Sequence, residues 1–153
     1  LVMVRDLLER WSPDSVRFYL SGFHYRDSWS YEEGGLESAE QQVDDIRKAL
    51  TVSGEDGQPI DAALAWQDFT QAMEDDLDTP AAERVILDLA QEIVLAGGNR
   101  KNVRSAQEAL RRMAGVIGLQ LDAKDPEARV VEGWSQHLTR FEAGRVDSWK
   151  VED

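Results

Sequence analysis

The sequence predicts an all-α fold. Apolar residues recur at intervals of three and four along most of the chain, alternation of period two never holds for more than a few residues, and no Asn-Gly or Asp-Gly turn lies between β-branched runs. Short connections then imply mostly antiparallel neighbours in a bundle of about five to seven helices.

The elements follow in order. Val4, Leu7, Leu8 and Trp11 share one helix face and predict a first helix. Ser12-Pro13-Asp14 is a start signal, with a capping hydroxyl, a proline where no donor is needed and an acid in the positive first turn. Val16, Tyr19, Leu20 and Phe23 form the inner face of the second helix. The stretch "HYRDSWSYEEGG" breaks the period and reads as an aromatic connection. Leu36, Ala39, Val43, Ile46 and Leu50 mark a third helix, and "TVSGEDGQP" a surface loop. Trp66, Phe69, Met73 and Leu77 mark a fourth.

"EDDLDTPAA" poses a question, because four carboxylates in five positions invite a hard cation. A calcium loop needs alternate acids, a glycine at the turn and a closing Glu, and Pro80 intervenes instead. The stretch is better read as a helix-helix corner in which Thr79 caps, Pro80 takes the first helical position, and the acids meet the positive end of the next helix. Ile86, Leu89, Ala90 and Ile93 continue that fifth helix, and "AGGN" ends it through glycines able to adopt positive φ. Val103, Ala106, Leu110, Met113 and Ile117 make a sixth. Beyond Gly118 the pattern weakens; Asp125-Pro126-Glu127 is a possible further start, with Trp134, Leu138 and Phe141 inside. The organisation expected is a bundle over residues 1–118 and a partly helical or irregular extension over 119–153.

Composition excludes several functions. At 153 residues the chain suffices for one domain, and such a domain buries about 68–70% of its unfolded surface. With no cysteine, and only His24 and His137, there is no disulfide framework, no zinc-thiolate site and no all-histidine site, so no metal is expected. No apolar run approaches the roughly 20 residues of a membrane span, and the start lacks the features of a signal peptide. A cytoplasmic location and no membrane partner are the expectation. A net charge of −13 repels nucleic acid at long range, so a polyanion must meet a local basic patch. The leading Leu1, entering a helical pattern at once, suggests a piece of a longer chain.

No constellation reads as catalytic. Gly34-Gly35 and Gly97-Gly98 lack the frame of a phosphate loop. Ser21, His24 and Asp27 are too local for triad geometry. The segment His24-Tyr25-Arg26 with Trp29 and Tyr31 is the most distinctive; it either presents a guanidinium and aromatic faces to bases, or caps the core while Arg26 answers nearby acids. "GGNRKNVRSAQEALRRM" gathers Arg100, Lys101, Arg104, Arg111 and Arg112 around one Glu108. It is either a phosphate-contacting surface or a solvated face in which Arg104 pairs with Glu108.

Three blocks together resemble the C-terminal helical part of bacterial cysteinyl-tRNA synthetases, a class I family. "VRDLLERWSPDSVRFYLSGFHYRDSWSYEE" is similar to the segment after that family's KMSKS loop, and Asp14-Ser15-Val16-Arg17 stands at the Asp-Ala-Leu-Arg tetrad that names the DALR helical domain. His24-Tyr25 belongs to the same segment, and Asp76, Thr79 and Pro80 to the family's acidic-Thr-Pro turn. The resemblance covers about residues 1–118. It implies an anticodon-binding-domain-like bundle that positions tRNA-Cys, with Arg26, Arg100, Lys101, Arg104, Arg111 and Arg112 as contacts. Its own catalytic domain, which is absent here, would carry ATP, Mg and Zn and attach cysteine to the tRNA; this stretch itself holds no cofactor and no catalytic residue.

Two departures qualify it. Leu121 to Asp153 does not match the family's anticodon-reading module, and "DDLDTP" and "LVMV" are also close to mycothiol ligase, a paralogue that joins cysteine to an amino-sugar inositol without tRNA. A third reading is a bundle that only supports its catalytic neighbour, with Trp29, Trp134 or Trp149 on the docking face.

Overall fold

The structure, a computed structural model, describes residues 2–54 and 57–121. Among these residues the chain forms α1 (Val4–Leu8), α2 (Pro13–Ser21), α3 (Glu33–Thr51), α4 (Ala63–Glu74), α5 (Thr79–Gly98) and α6 (Arg104–Val116), with no strand longer than an isolated bridge. The expected all-α bundle is what forms. The expected helix around Trp134, Leu138 and Phe141 lies outside the described residues.

α5 is the central helix, packed most extensively on α4 and α3 and also on α6 and α2. Its Ile86, Leu89, Ala90 and Ile93 meet Leu36, Val43 and Ile46 of α3, Val16 and Phe18 of α2, Phe69 of α4, and Leu110 and Met113 of α6 in one core. Burying a Leu, Ile or Phe side chain contributes about 1.5–3 kcal/mol, so this shared core accounts for most of the cohesion of the bundle.

Several expectations about element ends are corrected. The third helix starts at Glu33, so Gly34 and Gly35 lie inside it rather than in the connection. Gly35 is required by packing, since a Cβ there would run into the Tyr19 ring. Leu20 is 42% exposed and Leu77 is 53% exposed, so neither joins the core. Leu77 follows α4 with φ 56°, beside Asp76 at φ 54°, and these two left-handed residues turn the chain from α4 into α5.

The cap of α5 is Asp78, whose carboxylate accepts from the Ala81 N–H at 2.9 Å, while Thr79 and Pro80 are already helical. A carboxylate at this position satisfies an orphan donor and meets the helix dipole, which a threonine hydroxyl does only in part. Nor do glycines turn the chain out of α5. The left-handed residue is Arg100, at φ 55°, whereas Gly97 is helical and small because Val52 packs against it.

The loop after α3 is not a free surface loop. Ile60 N–H donates to the Asn102 carbonyl and Asn102 N–H to the Gln58 carbonyl, both at 3.1 Å, and Val103 N–H donates to Gly54. Gln107 of α6 donates its amide to the carbonyls of Ala49 and Val52, each at 2.9 Å, closing the open end of α3.

Candidate functional site

Asp14 enters the first turn of α2 and is only 5% exposed. Its Oδ1 accepts from Arg17 Nη1 at 3.4 Å and from the Gln120 N–H at 3.0 Å; its Oδ2 accepts from Arg47 Nη2 at 3.2 Å and the Leu121 N–H at 2.9 Å. One carboxylate thus ties α2, α3 and the segment after α6. Next to it Ser12 caps α2 by accepting from the Ser15 N–H at 3.1 Å, and both serine hydroxyls donate to or share with Glu40 of α3. Asp14 therefore acts as a structural clamp, while Arg17 only pairs with it within α2.

Tyr25 and Arg26 meet Asp76 of the α4–α5 corner. The Tyr25 hydroxyl donates to Asp76 Oδ1 at 2.7 Å, Arg26 Nη2 donates to the same oxygen at 3.0 Å, and Arg26 Nε lies 2.7 Å from Oδ2. The bond to Asp76 raises the Tyr25 pKa, because a deprotonated phenol would face a carboxylate. Arg26 also lies over the Tyr25 ring, and His24 stacks on it at 5.0 Å. So this segment and the acidic corner clasp each other, and Arg26 answers an acid. Among the described residues no three His, Asp or Glu side chains are grouped to hold a metal ion.

Nor do Ser21, His24 and Asp27 assemble a triad. Ser21 donates to Glu83 Oε1 at 2.5 Å, and His24 Nδ1 accepts from the Arg26 N–H at 3.3 Å. Glu83, buried on α5, is a residue the sequence did not single out; burial pushes its pKa up to about 7. The signal that it was special is weak: an acid at an apolar-face position of a helix.

The basic residues sit on the outside of α6 and the turn before it. Arg104, Arg111 and Arg112 are exposed on the helix face opposite to Ala106, Leu110 and Met113, and Arg100 and Lys101 are exposed just before the helix. Arg112 stands 4.2 Å above the Trp66 ring, a cation-π contact that joins α6 to α4. The stripe carries a local excess of positive charge, with Glu108 the acid on the same exposed face.

A model of the DALR domain matches residues 68–122, from within α4 to just beyond α6. That stretch is similar to the DALR domain. The tetrad at Asp14 lies outside the matched residues, yet its carboxylate accepts from the N–H groups of Gln120 and Leu121 within them. The whole chain is similar to the cysteine-tRNA ligase of Salmonella paratyphi B, 28% identical over 160 residues that cover 98% of this chain and 35% of that protein. The cysteine-tRNA ligases of Salmonella newport and Salmonella enteritidis PT4 match to the same extent. The chain spans about a third of the length of the curated relatives it matches.

Proposed function

We propose that this chain is the helical part of a cytoplasmic cysteinyl-tRNA synthetase and positions tRNA-Cys for cysteine attachment by a catalytic domain outside this sequence. The carrying observation is the exposed cationic stripe from Arg100 through Arg112 in a chain of net charge −13. A local patch of this sign is what phosphate contact requires, and the relatives are ligases that act on a tRNA. The contribution of the bundle is orientation of a large substrate rather than bond making. ATP, Mg and Zn belong to the catalytic domain in this reading. The residues described here do not suit zinc, since the chain has no cysteine and presents no metal-holding group among its described residues.

The test is binding of the chain to tRNA-Cys and to an unrelated tRNA across a salt series. Arg104→Ala and Arg111→Ala are each expected to lower the salt slope by about 0.9, the loss of one phosphate contact. No uptake at low salt, or slopes indifferent to both substitutions, would overturn the reading. The chain would then fit a mycothiol ligase or a bundle that only supports its catalytic neighbour.

A further inference from the structure

The connection between α2 and α3 walls a cleft of about 660 Å³. On its floor Tyr19 is held by accepting the Glu32 N–H at 2.9 Å and by the missing side chain of Gly35. Phe23 and Trp29 stack at 4.6 Å with planes only 10° apart, and Trp29 remains 45% exposed. The walls add Asp27, Glu32 and Asp78, and no Lys or Arg lines the cleft. Asp78 is occupied in capping α5. The carboxylates of Asp27 and Glu32 have no ion pair or side-chain hydrogen bond among the described residues. The nearby cation, Arg26, is turned away to Asp76.

Aromatic faces beside unanswered carboxylates, with no resident Lys or Arg and only His24 as a basic side chain, form a complementary surface for a cation that is also partly apolar. A guanidinium stacks on an indole and donates in a fork to a carboxylate; an alkylammonium does so with its methylenes on the ring and its head on the acid. The clasp of Tyr25 and Arg26 on Asp76 holds the two walls in register before any ligand arrives, which lowers the ordering cost of binding. We propose that this cleft is a binding site for an organic cation, a guanidinium or alkylammonium group stacked on Trp29 and held by Asp27 and Glu32. Its source is either an arginine or lysine side chain of another polypeptide segment or a free polyamine. The site is independent of the anion-binding stripe on α6.

Calorimetric titration of the chain with a neutral-flanked arginine peptide and, separately, with spermidine tests it. Saturable binding is expected, weakened roughly tenfold by Asp27→Asn with Glu32→Gln, weakened likewise by Trp29→Leu, and unchanged by Trp66→Phe. Helical circular dichroism of each variant checks that the fold persists. Tighter binding of the peptide assigns the site to a polypeptide side chain, and tighter binding of spermidine to a free polyamine. Failure of both probes to saturate, or affinities equal in wild type and the Asp27/Glu32 variant, would overturn the proposal.

Discussion

Arg47 of α3 donates through Nη2 to Oδ2 of Asp14 across 3.2 Å, and both side chains are largely withdrawn from solvent. Removing Asp14 would leave Arg47 with only Asp44, 3.2 Å from its Nη1, and take the acceptor from the Leu121 N–H, and breaking a buried pair costs about 3–5 kcal/mol. Asp14→Ala is therefore expected to lower stability by about 3 kcal/mol or more, read as a fall in the urea midpoint. Arg17→Ala, whose guanidinium is more exposed, is expected to cost less than about 1 kcal/mol. Equal losses in the two variants would contradict the clamp.

Glu83 makes stability depend on pH in an unusual direction. Its folded pKa, about 7, lies above the ordinary 4.5, so its contribution is fully present below pH 4.5 and is lost as the pH rises through 7. The size is bounded at about 3 kcal/mol, from about 1.4 kcal/mol per unit. Glu83→Gln is expected to match wild type at acidic pH and to exceed it at pH 8 and above. Thermal denaturation of both proteins from pH 5 to 9 measures the divergence; parallel curves would refute it.

The adjacent glycines at the end of α5 should respond in opposite ways. A Cβ on Gly97 would strike Val52 Cγ1, on a side chain stiff at χ1, whereas nothing lies within 4 Å of a Cβ on Gly98. Gly97→Ala is expected to destabilise by about 1–2 kcal/mol. Gly98→Ala is expected to stabilise by about 0.5–1 kcal/mol through helix propensity. Denaturant unfolding of the two single variants decides it, and Val52→Ala should restore part of the Gly97→Ala loss.

Leu77 holds a left-handed conformation with its side chain in solvent, so its strain is not offset by burial. Leu77→Gly is expected to raise stability by about 1 kcal/mol. A drop in melting temperature would mean that the side chain makes a contact that matters to the fold.

What the sequence made legible, and what it did not, divides along the range of the interactions. Periodicity in Leu36, Val43 and Ile46, or in Leu110 and Met113, locates helices because it reports burial of one face, and each of these residues is buried. Helix ends depend on single backbone conformations. Asp78 rather than Thr79 caps α5, and Arg100 rather than a glycine takes the positive φ, because the fold around them supplies what propensity alone does not. The α6 stripe was visible as a run of cations. The cleft at Trp29 was not, since Asp27, Glu32 and Tyr19 come together only when the connection folds back on α2. Glu83 and Glu40 were equally hidden, each defined by serines far away in the chain.

The carboxylate of Asp14 is bonded to the backbone of residues 106 and 107 positions further along the chain. During synthesis α2 and α3 emerge long before those donors, so until residues 120 and 121 arrive Asp14 can pair only with Arg17 and Arg47. The N-terminal helices on their own thus lack two of the hydrogen bonds that fix Asp14 in the full bundle. A single acid near the start of the chain thus couples its second helix to the segment that closes the bundle after α6.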